Sequence, residues 1–413
     1  MKKFIAILIH VVLLRVMLQA GDGYWVERAS IPESRSQHAA VVVDGTVYLT
    51  GGRTAGPAMM ATRSQLWAYH PDTDEWFTNL PDMPEPREDH VMVATGDTLW
   101  VFGGRNHNTM VTSVVYWIVG APAWQEAGEM PLPREGMGAT TYGGKIYLVG
   151  GKASHAMWAS PVSRVDEFDP QTWQWTVSDT LQQARVGFAW AAHGDTVLCA
   201  GGRFLDPLAS VERRIDGNAW EAAPQLNGPR SDGAAVFFEG NFVLLGGVGS
   251  EGQSGNNLVF DGTSWQTFEP NLLPRYEETA VVVDNAILVM GGRNGNQLLA
   301  STEQYIILTA SAEEPELPAE MVLMQAYPNP FNGSLRVAIT LDERVYSVHV
   351  VDVYNLQGQR VHSYAVQAGG GSVLTMRIQG ADLGATGVYL MVLRYQTSDG
   401  TQHQLLHKLT YLK

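Results

Sequence analysis

The chain has 413 residues, 45% of them hydrophobic and 17% charged, with 12 tryptophans and a formal charge of -15. That length exceeds one ordinary core, and the composition excludes a disordered chain. A surface this acidic excludes nucleic acid and anionic membranes as natural partners.

The first twenty residues, MKKFIAILIHVVLLRVMLQA, set Lys2 and Lys3 before an apolar stretch that reaches small Ala20. This is the pattern of a cleaved secretory signal peptide over residues 1–20. A membrane anchor is the competing reading, but Arg15 leaves the uninterrupted run too short to span a bilayer well. No later run is long and apolar enough to span, so no transmembrane segment is expected in the mature chain. Cys199 is the one cysteine, so no intramolecular disulfide accompanies export. Its place in the apolar run VLCAGG reads as a buried small hydrophobe.

From residue 21 the chain repeats itself. The runs VYLTGGR, LWVFGGR, IYLVGGK, VLCAGGR, FVLLGGV and ILVMGGR end on doublets whose first glycines are Gly51, Gly103, Gly150, Gly201, Gly246 and Gly291. Successive doublets are 45 to 52 residues apart, a period that signals a repeat architecture. Sixteen residues before each first glycine stands an arginine: Arg35, Arg87, Arg134, Arg185, Arg230 and Arg275. Ten or eleven residues earlier stands a tryptophan: Trp25, Trp76, Trp124, Trp175, Trp220 and Trp265. A turn pair (DG, GD, GG, GD, EG, DN) precedes each second strand and suits a tight hairpin.

Each unit reads as four strands. The first is apolar, and the second is apolar on both alternations, as a strand covered on both faces must be. The third carries an aromatic residue such as Tyr69, Phe168, Phe260 or Tyr305, and the fourth carries the tryptophan. The glycines permit close backbone approach and a sharp exit. The last unit has no fourth-strand tryptophan, whereas Trp25 precedes any first strand. The N-terminal strand, 24–30, is therefore expected to complete the sixth blade and close the ring. On the Gly-Gly doublets, third-strand aromatics and fourth-strand tryptophans, residues 21–308 resemble the kelch-repeat β-propellers, here with six blades.

Residues 309–322, rich in Glu, Ala and Pro, read as a linker. Residues 323–413 contain no tryptophan and show short strands split by glycine-rich turns, a small antiparallel β-sandwich of immunoglobulin-like type. The whole chain is thus all-β. The stretches AYPNPFNGS, DVYNLQGQRV, DLGATGVYLMVLR and KLTYLK resemble the C-terminal sorting domains of the bacterial type IX secretion system. The matching motif residues are Pro328, Asn329, Pro330, Gly358, Gly387, Lys408 and Lys413. The resemblance implies export by the signal peptide, passage across the outer membrane of a Gram-negative-type bacterium, and release or surface attachment. It also implies the secretion machinery as a partner.

Candidate binding residues lie on the loops. The resemblance to kelch propellers implies that Arg35, Arg87, Arg134 and Arg185, with Arg230 and Arg275, would ring one loop face, where Arg53, Arg105, Lys152, Arg203 and Arg293 follow the glycines. Two readings stand: a ligand face, or a bridge needed by every blade, with nearby acids neutralising the ring. A ligand site should break the symmetry, and the loops of blades one to three do so. They offer Met59, Met60, His107, Met110, His155, Met157 and Trp158, suited to a sugar or a protein contact. Packing back over their own loop is the alternative for these side chains. His38 and His90 share a register but lack a third ligand, so no metal is expected. No phosphate-binding glycine loop or other cofactor motif is legible, and no catalytic residue is assigned. HPDTDEW, 70–76, looks calcium-like but also suits a hairpin turn.

The leading expectation is a secreted or surface-displayed protein whose propeller loops bind a protein or a glycan. The alternative is an extracytoplasmic carbohydrate-acting enzyme. The kelch family includes sialic acid mutarotases, and Glu278 near Arg275 or Glu135 near Arg134 would then carry the chemistry. A third reading is an adhesive component with no small ligand.

Overall fold

The computed structural model describes residues 23–55, 60–156, 159–215, 219–250, 252–254, 256–307, 322–327, 333–341, 345–355, 359–365, 373–384, 386–397 and 402–411. The signal-peptide region and the linker up to residue 321 lie outside the described residues. The chain divides into two units between residues 309 and 310.

The first unit is built from six four-stranded antiparallel sheets. Blade one runs outward from the axis through Ala39–Val43, Thr46–Thr50, Leu66–His70 and Glu75–Phe77. The innermost strands of the others are Val91–Thr95, Gly138–Tyr142, Ala189–His193, Ala234–Phe238 and Thr279–Val283. Each innermost strand touches the next, and Thr279–Val283 returns to Ala39–Val43, so the ring closes.

The ring is closed by the N-terminal strand. Gly23–Arg28 pairs with Thr302–Ile307 and becomes the outer strand of blade six. Trp25 lies opposite Tyr305 with ring centroids 5.4 Å apart, and its indole N–H donates to Glu269 O at 3.0 Å. The same bond to the preceding blade recurs from Trp76 to Ala29 O at 2.9 Å, Trp124 to Pro81 O at 2.8 Å and Trp265 to Pro224 O at 2.7 Å. In these four blades the tryptophan therefore fills an inter-blade crevice with its ring and pins it with its N–H, whereas the buried Trp220 N–H has no partner among the described residues.

Second strands are apolar on both alternations because each faces two neighbours. In blade one Tyr48 joins Met92, Leu99 and Trp117 of blade two, whereas Val47 and Leu49 join Leu288 and Met290 of blade six. Full burial of each such side chain contributes about 2 kcal/mol before the entropy of ordering is subtracted. The hairpins before these strands use left-handed backbone, as at Asp44 (φ 48°) and Gly45 (φ 74°), the geometry that primed turns require.

The second unit is two antiparallel sheets sharing one core. Val322–Tyr327, Ser334–Leu341 and Val373–Gln379 form one, and Arg360–Ala365, Val345–Asn355, Gly387–Thr397 and Gln402–Tyr411 the other. Leu335, Val337, Ile339 and Ile378 meet Val351, Val353, Met391, Leu393 and Leu409 between them. Of the sorting-motif residues, Pro328, Asn329, Pro330, Gly358 and Lys413 lie outside the described residues. Gly387 opens its strand, and Lys408 lies opposite Leu390 in register.

Candidate functional site at the axial mouth

The repeated arginines are internal. Arg35, Arg87, Arg134, Arg185 and Arg275 are 0% exposed, and Arg230 is half-buried. In every blade Nη1 donates to the carbonyl of the first glycine sixteen residues on: Arg35 to Gly51 at 3.0 Å, Arg87 to Gly103 at 3.3 Å, Arg134 to Gly150 at 3.0 Å, Arg185 to Gly201 at 2.7 Å, Arg230 to Gly246 at 3.2 Å and Arg275 to Gly291 at 2.8 Å. The arginine's own carbonyl accepts from the second glycine of the preceding blade, as Gly52 N to Arg87 O at 2.9 Å and Gly292 N to Arg35 O at 2.7 Å. Buried acids complete three of them: Asp166 for Arg134, Glu212 for Arg185 and Glu303 for Arg275. Burial holds the Arg35, Arg87 and Arg134 guanidiniums down to about 10, still protonated at neutral pH. Of the two readings of Arg35, Arg87, Arg134 and Arg185, a ligand face or a bridge needed by every blade, their burial fits the bridge. They are cross-links between a loop and a strand end, with no surface left for a ligand.

Two residues beyond each arginine the chain makes a second ring. Gln37, Asp89, Gly136, Gly187, Asp232 and Glu277 all have left-handed backbone, with φ from 55° to 60°. Their amides are bonded head to tail around the axis. Asp89 N donates to Gln37 O, Gly136 N to Asp89 O and Gly187 N to Gly136 O, each at 3.0 Å. Asp232 N donates to Gly187 O at 2.6 Å, Glu277 N to Asp232 O at 2.8 Å and Gln37 N to Glu277 O at 3.0 Å, which closes the circle. Left-handed backbone costs a non-glycine residue roughly 1 kcal/mol. Blades three and four use glycine there, yet four blades keep a polar or acidic side chain.

Charged groups converge on that rim. Arg105 binds Glu88, Asp89 (3.0 Å) and Glu135 (2.7 Å). Arg203 pairs with Asp232, and Gln37 Nε2 donates to Asp89 Oδ2 at 2.9 Å. Arg53 and Arg293 flank Glu277 Oε2 at 3.6 and 3.9 Å, longer than hydrogen bonds. Burial pushes Asp89 up to about 7, against the pull of Arg105, and also raises Glu88 and Glu277.

Below the rim the innermost strands enclose an axial channel of about 500 Å³. His38, His90, Met137, Phe188, Gly233 and Glu278 occupy one equivalent position at its upper end. Burial, then the nearby arginines, push His38 down to about 3 and His90 well below its usual value, so both are neutral. Their rings lie against the first glycines of neighbouring blades: a Cβ on Gly51 would clash with His90 Cε1. Glu278, pushed up to about 8 by burial, lies the same way against Gly246. Among the described residues no three His, Cys, Asp or Glu side chains converge on a metal geometry. Cys199 is fully buried, and burial raises its thiol far above the usual range. Asp74 of the calcium-like segment accepts from Ala29 N at 2.8 Å and Tyr69 Oη at 2.7 Å, tying blade one to the closing strand.

The distinctive loops share the rim's face. His107 is exposed at the tip of the hairpin Arg105–Asn106/Thr109–Met110, with φ 53°. His155 Nδ1 lies 3.2 Å from Glu135. Met59, Met157 and Trp158 lie outside the described residues. Arg203 was expected on this face, but the apolar pair beside it was not. Arg203 is 43% exposed and is followed by Phe204 at 42% and Leu205 at 79%. The signal was present in RFLDPL, a turn that carries two large apolar residues.

Comparisons with known proteins agree with this geometry. Residues 25–204 match the KLHDC2/KLHL20/DRC7 Kelch-repeats domain, and residues 274–311 match the Kelch motif. The propeller is a kelch-repeat propeller. Residues 325–407 match the secretion system C-terminal sorting domain. Beta-scruin of Limulus polyphemus is 29% identical over 72% of this chain and 29% of its own length. The Kelch-like protein terF of Aspergillus terreus is 29% identical over 60% of this chain and 56% of its own. The chain therefore spans from under a third to just over half of these relatives. The solved structure of YjhT superposes with a TM-score of 0.58 at 16% identity, covering 66% of this chain and 95% of that one, which speaks to the fold. The sorting domain assigns this kelch protein to the cell surface or the extracellular space. No helix among the described residues is long and apolar enough to cross a membrane.

Proposed function

We propose that this chain is an extracellular interaction protein whose axial rim holds a charged segment of a protein partner. The observation that supports it is the pair Arg53 and Arg293, which flank Glu277 beyond hydrogen-bond reach. A carboxylate of the partner makes there the N–H···O contacts that Glu277 does not, and guanidinium forks suit it. The side chains kept at strained positions of the rim point the same way, because strain persists where a side chain is needed. Phe204 and Leu205 add apolar area beside Arg203, the mixture of apolar and cationic anchors typical of protein contacts. This favours a protein over a glycan.

Photo-crosslinking in the producing cell tests the reading. A photoreactive residue at His107, on the rim face, should capture one discrete protein. The same residue at Thr73, in the exposed turn at the opposite end of blade one, should capture none. Equal capture from both positions, or none from the rim face, would refute the proposal.

A further inference from the structure

We infer that the outward face of the sorting domain's four-stranded sheet is a docking surface for an acidic protein of the export machinery, built on Arg360 and Arg394. The inference rests on the sorting role of this domain.

Strand alternation sets the face. Val351, Val353, Met391 and Leu393 enter the core, so Asp352, Tyr354, Leu390, Val392 and Arg394 turn to the other side. Asp352 lies opposite Val392 and Ser363, and Tyr354 opposite Leu390 and Arg360. The Asp352 carboxylate is buried and organises this face. Arg394 Nη1 donates to its Oδ2 at 2.6 Å, the Ser363 hydroxyl donates to Oδ1 at 2.7 Å, and Arg360 Nη1 stands 3.6 Å from Oδ1. Arg394 Nη2 also donates to Tyr354 Oη at 3.2 Å.

One buried carboxylate thus orients two guanidiniums, and the local balance is positive. Arg360 is 60% exposed and Arg394 51%. Leu390 is exposed beside them, and Lys408 is its register partner on the next strand. Residues 323–413 carry seven Lys and Arg against five Asp and Glu, a balance of +2, so the rest of the chain carries -17 of the total -15. A basic face on an otherwise acidic chain steers toward an acidic surface. Two oriented guanidiniums, each with N–H groups beyond those turned to Asp352 and Tyr354, give carboxylates charge-assisted partners at a low ordering cost.

The test is export of the full chain in a bacterium with type IX machinery, read as the surface-exposed plus released fraction. Four chains are compared: parent, R360Q/R394Q, L390E, and a deletion of residues 323–413. The deletion should abolish export. R360Q/R394Q should lower it about tenfold, the scale of a lost charge-assisted contact. L390E should also lower it; it sets an acid on the face without unpairing Asp352, so it reports even where the arginine pair unfolds the domain. Parental export of a folded R360Q/R394Q, or of L390E, while the deletion blocks export, would overturn the docking face and leave the sorting role standing. Normal export of the deletion would overturn the sorting role and this inference with it.

Discussion

Arg134 and Gly150 are sixteen residues apart in sequence, and Arg134 Nη1 lies 3.0 Å from Gly150 O. The same arginine donates to Arg164 O at 2.9 Å and Asp166 Oδ2 at 2.6 Å. A fully buried guanidinium with three acceptors is a joint between a loop, a strand end and the third strand. Arg134→Ala strands those acceptors and should cost about 3 kcal/mol in a urea unfolding series of the full chain. Arg230→Ala, at the half-buried equivalent that bonds carbonyls alone, should cost about 1 kcal/mol. Equal losses would mean that burial does not set the strength of the joint.

The glycine doublets answer a steric demand that hairpin glycines do not share. A Cβ on Gly51, at φ 64°, would stand 2.5 Å from Arg87 O, whereas a Cβ on Gly45, at φ 74°, meets nothing within 4 Å. Gly45→Ala should cost about 1 kcal/mol from backbone strain alone. Gly51→Ala adds a clash against a carbonyl held in the inter-blade network and should cost about 3 kcal/mol or more. Denaturation midpoints of the two variants give the comparison directly.

Ring closure depends on Trp25. Its side chain is buried against Val236, Phe268 and Tyr305, and its N–H is bonded to blade five. Trp25→Ala should destabilise by about 3 kcal/mol and release the first strand to limited proteolysis before the rest of the propeller. Parental resistance of that strand would show that blade six is held by its other three strands.

The buried acids give the propeller a pH dependence of predictable sign. Asp89 is pushed up to about 7 and Glu278 up to about 8, from an ordinary carboxylate value of roughly 4. The folded state therefore binds more protons than the unfolded state between those values. Stability falls as pH rises through that window. His38 and His90, held neutral in the fold, act in the opposite direction below their ordinary value of 6.5, so the comparison belongs above it: the melting temperature of the parent should be lower near pH 8.5 than near pH 6.5. Glu278→Gln should melt with the parent near pH 5 and above it near pH 9, because the amide keeps the shape without the buried charge. A variant that melts below the parent at both values would show that the ionised carboxylate stabilises the fold.

The sequence showed the blades because their demands recur. Gly51 and Arg35 hold one spacing six times, and Trp25 stands where a sixth fourth strand is wanting. The two sheets of the C-terminal unit were legible from short apolar strands, such as the one holding Val351 and Val353, split by glycine-rich turns. The rim was less legible. Gln37, Asp89, Gly136, Gly187, Asp232 and Glu277 share a backbone conformation and a hydrogen-bonded circle but no residue type, so no repeat marks them. The sequence left the repeated arginines two readings, a ligand face or a bridge. Arg134 and Arg53 are both loop cations by sequence, and burial alone separates the joint from the rim.

The most direct test of the binding claim is a titration of the full chain against an array of acidic peptides, with a glycan array beside it. Parent protein, Arg53→Ala, Arg293→Ala and Leu205→Ala would be compared at matched salt. The account predicts selective peptide binding weakened about tenfold by either arginine change, with unchanged melting. Peptide binding indifferent to both arginines, or selective binding to glycans alone, would contradict it.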